Sequence, residues 1–209
     1  MKDYLDIYDD ELMPIGKELR SIVHEKGLWH RTVHCWLYDD EGNVYFQIRK
    51  DSDKFYTTAS GHVDAGETLK EAFCREVKEE IGLDLGCQRA ELIKIVVWKM
   101  DKEKSDGTKF KDRAFAHVNI LKFSCDDINK FSFEPEEVSG IVKVNAKEAL
   151  KLFKEGKGSI PATIITTKNG RNEEEQKEVN ISDFLVMKNE TADEKYSWIL
   201  EKIIKSTNK

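Results

Sequence analysis

The sequence predicts a mixed α+β fold. Runs rich in β-branched and aromatic residues recur along the chain, "TVHCWLY" and "ELIKIVVW" among them. Two other stretches, 68–82 and 192–206, space their apolar residues at helical intervals. Turn chemistry such as "DDEGN" separates strand runs. Strands mixed with a few helices bury best as layers, helices against a sheet. No internal repeat or Gly/Ser/Pro-rich linker divides the 209 residues. One domain over 1–209 is therefore expected, with a hairpin-and-helix extension at 1–28 and a hairpin insertion at 160–190.

The elements follow in order. Residues 4–18 read as two short extended pieces around an acidic turn, and "KELRSIVHEKG" as a short helix ending at Gly27. "TVHCWLYDDEGNVYFQIRK" is a hairpin. "ELIKIVVWKM" and "RAFAHVNILKF" are strands separated by the charged loop "DKEKSDGTKFKD". "EVSGIVKVN" is a strand leading into the amphipathic helix "AKEALKLFKEG". Residues 162–187 read as a hairpin with a polar tip at "KNGRNEEEQ", and "ADEKYSWILEKIIKS" as a closing helix.

Composition narrows the function classes. A net charge of −6 argues against a nucleic-acid groove but not against a phosphate-bearing small molecule held through divalent cations. No apolar run approaches the ~20 residues that span a bilayer. The acidic start "MKDYLDIYDDELM" has no apolar signal core, which points to the cytoplasm. Cys35, Cys74, Cys87 and Cys125 are scattered without metal-ligand spacing and read as free thiols. Edge strands or the N-terminal hairpin leave a homodimer open.

The stretch "GHVDAGETLKEAFCREVKEEIGL" carries the chemistry. Thr68 and Glu71 have capping-box spacing, Leu69, Phe73, Val77 and Ile81 form an apolar stripe, and Gly82 suits a left-handed cap. Glu76, Glu79 and Glu80 then share one face of the helix, an arrangement that repels itself unless solvated or bridged by a hard cation such as Mg²⁺. Alone, this pattern is more often that of a solvated helix face.

The flanks add Gly61, Glu67, Arg75, Gly82 and Leu83 at fixed spacing, and with them the stretch strongly resembles the signature box of the Nudix family over 61–83. The resemblance implies a Nudix-type α/β/α sandwich with a mixed β-sheet. It implies a Mg²⁺- or Mn²⁺-dependent hydrolase cleaving the diphosphate of a nucleoside diphosphate linked to another moiety, or of a related organic diphosphate. By matching position, Glu76 and Glu80 would be the main metal ligands, and Glu79 a further ligand or the water-activating group. Gly61 would offer its carbonyl to a metal, and Glu67 with Arg75 would brace the loop. Some family members place the base outside the box, for which Glu134, Glu136 and Glu137 are candidates.

The segment before the box resembles the isopentenyl-diphosphate-isomerase-like branch of the family, whose isomerase holds metal partly with histidines. His30 and His62 stand at matching places and His24 near a third. Ser60 replaces the cysteine that the isomerase needs, and only Asp112 stands near its paired glutamates. Isomerase chemistry and a catalytically silent nucleotide-binding domain are thus the alternatives. Arg49, Lys50 and Lys54, with His62, Glu136 and Glu137, are further candidates for substrate contact. Trp29, Trp36 and Trp98 read as core residues, any one of which could stack on a base.

Overall fold

A computed structural model describes residues 4–85, 89–103, 107, 109–124, 128–186 and 193–207. Its centre is a nine-stranded mixed sheet. The strands are β3 (His30–Tyr38), β4 (Asn43–Arg49), β5 (Phe55–Tyr56), β6 (Ala59–His62), β7 (Glu91–Glu103), β8 (Lys109–Lys122), β9 (Val138–Asn145), β10 (Ser159–Lys168) and β11 (Arg171–Asn180). The order is β11-β10-β9-β4-β3-β8-β7, with β3 and β8 parallel.

Alternate side chains along a strand face opposite layers. Val33, Cys35 and Leu37 of β3 pack with Phe73, Val77 and Ile81 of α2 (Leu69–Ile81) on one face. Trp36 and Tyr38 pack on the other against α3 (Ala146–Glu155) and α4 (Trp198–Thr207). This is the layered sandwich expected. A separate hairpin, β1 (Tyr4–Tyr8) with β2 (Pro14–Leu19), leads into α1 (Arg20–Lys26). It leans on the loop before α2, where Ala65 N donates to Tyr4 O and Gly66 N to Asp6 Oδ2.

One irregularity makes the site. β3 and β4 pair only at Leu37↔Tyr45 and Tyr38↔Val44, then part. β5 lines the β4 side of the gap and β6 the β3 side. The sequence reading of an ordinary hairpin missed this fork, because residues 50–62 return into the gap between its two arms.

Other boundaries moved as well. β7 and β8 extend into the charged loop expected between them, to Glu103 and from Lys109. Helix α1 begins at Arg20, since Lys17–Leu19 pair with β1. The late hairpin turns on Asn169-Gly170 alone, both at positive φ as a two-residue turn requires, so the acidic run Glu173–Glu175 lies within β11. Residues 187–190 of the expected insertion lie outside the described residues. The free-thiol reading fails at Cys74, which is disulfide-bonded. Cys35 is free and buried, and Cys87 and Cys125 lie outside the described residues.

Candidate active site

Helix α2 begins as its sequence dictates. Thr68 caps it reciprocally with Glu71, and Gly82 closes it at φ 75°. Phe73, Val77 and Ile81 fasten it to the sheet, and the positions beside that stripe carry Glu76 and Glu80 toward the fork.

The three box glutamates separate into two environments. Glu76 and Glu80 are buried, whereas the Glu79 side chain is 59% exposed. They therefore do not form one uniform acidic face, because helix position 79 rotates toward solvent. Glu80 Oε2 accepts from Ser60 N and from Gln47 Nε2, both at 3.0 Å, so β6 and β4 each hold it across the fork. Glu76 lies against Gly61 so closely that a Cβ there would fall 2.0 Å from Glu76 Oε1. Only glycine leaves that cradle open.

Arg75 organises the approach. Its guanidinium donates to Glu67 Oε1 at 2.9 Å and Oε2 at 2.8 Å, to Glu76 Oε1 at 2.7 Å, to Glu79 Oε2 at 3.1 Å and to His62 O at 2.8 Å. Burial pushes the Glu76 carboxyl up to about 7, against the pull of Arg75 and with the charges of Glu79 and Glu137 adding to it. Burial, then Glu76 and Glu137, push Glu80 well above the usual carboxylate range. Two buried carboxylates forced up by desolvation and mutual repulsion, with oxygen donors only, suit a hard divalent cation.

Among the acids outside the box, Glu137 acts on both buried carboxylates. Glu134 ties its backbone N to Glu80 O, which holds that loop on the helix end, and Glu134, Glu136 and Glu137 are all exposed. Of the three basic candidates, Arg49 senses Glu80 but also donates to Asp51. Lys50 lies in an exposed turn, and Lys54 donates to Ser182 O at 2.6 Å. Gln47 was missed because nothing local marks a strand glutamine whose partner lies 33 residues away. Trp36 is a core residue, and Trp29 stacks on Phe115.

A second constellation lies beside β6. His24, His30 and His62 present ring nitrogens that all lie within 4.8 Å of one another. His24 Nε2 and His62 Nε2 are 3.1 Å apart, and His30 Nε2 stands 3.4 Å from Asp112 Oδ1. Burial lowers His30 to about 4 and His62 well below its usual value, so both rings are neutral near pH 7.

A carboxylate-bearing helix bedded at the fork of a mixed sheet, with helical layers on both faces, defines an α/β/α enzyme of the acidic-box type. The NUDIX domain profile matches residues 28–163, and the chain belongs to the Nudix hydrolase family. An uncharacterized Nudix hydrolase of Clostridium acetobutylicum is 35% identical over 194 residues, covering 88% of this chain and 90% of that one. An isopentenyl-diphosphate Delta-isomerase of Photorhabdus laumondii is 23% identical over 160 residues, covering 74% of this chain and 80% of that one. A crystal structure from Deinococcus radiodurans shares the fold, with TM-score 0.51, 20% identity and coverage of 74% of this chain and 91% of that one. No helix among the described residues is long and apolar enough to cross a membrane.

Proposed function

We propose that this protein is a Mg²⁺- or Mn²⁺-dependent hydrolase of the diphosphate linkage in a nucleoside diphosphate linked to another moiety, or in a related organic diphosphate. The observation that carries the reading is that buried Glu76 lies against Gly61 while buried Glu80 accepts from the neighbouring Ser60 N, with the charge of Glu137 raising both. Glu76, Glu80 and the Gly61 carbonyl would hold the ion, with Glu79 as a further ligand. A divalent cation so held would neutralise phosphate charge and make bound water a stronger acid. Glu137 would accept the proton of the attacking water from outside the box, while Glu67 and Arg75 keep the loop against the helix. Arg49 balances the charge of an incoming phosphate. One domain over the whole chain, with the β1–β2 hairpin supporting the box loop, fits this reading.

The test is phosphate or nucleotide release from a panel of diphosphate compounds. Glu80→Gln and Glu137→Gln should each lower turnover by roughly 10²–10⁴-fold with the fold intact. EDTA should abolish release and Mg²⁺ or Mn²⁺ restore it. Undiminished turnover in Glu80→Gln, or hydrolysis that ignores EDTA, rejects the assignment.

The histidines favour a second metal locus. His24 Nδ1 and His30 Nδ1 are engaged by the carbonyls of Arg20 and Leu28, at 2.8 and 3.1 Å. With Nδ1–H donating to each carbonyl, the Nε2 atoms carry the ring lone pairs and face the cluster. His30 Nε2 and Asp112 Oδ1 are buried without a hydrogen-bond partner. Three imidazoles and one carboxylate suit a borderline ion such as Zn²⁺. Metal analysis of purified protein should find such an ion lost in His30→Ala and kept in Glu80→Gln; equal content in both variants counts against it. Ser60 carries a hydroxyl, a poor acid–base substitute for a thiol, so this locus does not revive the isomerase reading.

A further inference from the structure

The fork has a second wall beyond the box acids, built from residues distant in sequence. Lys195 lies in a π-helical turn, Asp193–Ser197, that precedes α4. The wider turn adds a residue to the helical repeat, and such turns recur where a side chain is aimed at a site. Tyr196 anchors it, buried in the core with its hydroxyl donating to Leu185 O at 2.6 Å. Lys195 Nζ stands 5.3 Å from the Tyr56 ring centre, 5.6 Å from that of Trp98 and 5.5 Å from that of Tyr196. Arg49 stands over the same Tyr56 ring at 5.8 Å. Two cations thus lie within 6 Å of one tyrosine ring, the Lys195 Nζ itself buried, and an indole from β7 lies beside it.

This wall adjoins the carboxylates. The Lys195 charge reaches His34, whose ring meets Tyr56 edge-on at 5.9 Å. His34 pairs directly with Ser60, and Ser60 N donates to Glu80. Arg49 likewise feels Glu80. Arg49, near the Tyr56 ring as Lys195 is, thus links the cationic wall to the box carboxylates.

We propose that Lys195 and Trp98, with Arg49 and Tyr56, form the subsite that takes the group beyond the scissile linkage. A phosphate sits between Arg49 and Lys195, and a flat ring attached to it stacks on Trp98. The proposal rests on the hydrolase reading for its place in the reaction, but not for the binding it describes. The chemistry supports the pairing. Guanidinium and ammonium groups bind phosphate through charge-assisted hydrogen bonds, and a ring on indole adds stacking that an alkyl chain would not gain. A merely structural Lys195 would cap the aromatic cluster and leave ligand affinity untouched.

ADP with Mg²⁺, followed by calorimetry or tryptophan quenching, is the probe, with inorganic pyrophosphate as the ring-free comparison. Lys195→Met should weaken both ligands by about tenfold or more, while Lys195→Arg stays near wild type. Trp98→Leu should weaken ADP by about tenfold and leave pyrophosphate unchanged. Should Lys195→Met fail to fold, the ADP-against-pyrophosphate split in Trp98→Leu decides alone. Wild-type affinity for ADP in both variants, or a wild-type chain that does not bind ADP, overturns the subsite. A chain that binds ADP through these residues yet hydrolyses no diphosphate overturns the hydrolase reading and leaves the subsite standing.

Discussion

Arg75 gives its guanidinium to Glu67, Glu76, Glu79 and the carbonyl of His62 at once. Arg75→Met would strand two largely buried carboxylates, at a cost of roughly 3 kcal/mol in urea unfolding. Arg75→Lys should rescue little, because an ammonium cannot reproduce the paired contacts to Glu67. Glu76 sets a pH dependence of its own. Its folded carboxyl is raised to about 7, chiefly by burial, whereas the unfolded chain holds it near ~4.3. The folded protein thus binds that proton more tightly, so stability is full below ~4 and is lost as pH rises through 7. In EDTA the melting temperature should fall between pH 5 and pH 8, and Glu76→Gln should flatten that fall. An unaltered slope in Glu76→Gln would show that another group is responsible. The pairing of Arg75 with Glu67 was expected from the resemblance of the box, whose positions lie close together in the chain. Gln47 and Lys195 were closed to a sequence reading, since each reaches the site only through strand or helix packing far along the chain.

At the scale of elements, α2 was legible nearly to the residue. Capping, stripe and closing glycine are all local physics, and the helix runs Leu69–Ile81 between them. Its two ends differ in consequence. Thr68→Ala should cost about 1 kcal/mol, the usual worth of an N-cap. Gly82→Ala should cost more, since φ is 75° and a Cβ there would stand 2.7 Å from Ser132 N. That same contact region donates Ser132 N to Ile81 O and Glu134 N to Glu80 O, so the loop carrying Glu137 would shift with it. Urea unfolding should rank Gly82→Ala below Thr68→Ala in stability, and turnover should fall further in the former. The reverse ranking would detach Glu137 from the helix end. The late hairpin shows the opposite case. Its whole polar run was read as the tip, though the turn is Asn169-Gly170 alone, because β11 is an edge strand whose exposed positions tolerate Glu173–Glu175.

Across the molecule, the N-terminal hairpin is a buttress rather than an appendage. Leu5 is 1% exposed and bridges to Asp64, and the neighbouring backbone groups of Ala65 and Gly66 bond into the same hairpin. Deleting residues 1–19 should leave a folded chain whose Mg²⁺ requirement rises several-fold, measured as the activation constant in phosphate release. An unchanged constant would make the hairpin indifferent to the box loop.

The four residues Ala59–His62 are a party wall. From one side Gly61 and the Ser60 amide receive the box carboxylates; from the other His62 joins His24. Displacing the strand by a fraction of an ångström toward one tenant takes it from the other, so the two loci cannot be filled as strangers. Occupying the histidine locus with Zn²⁺ should shift the Mg²⁺ affinity of the box, and the shift should vanish in His62→Ala.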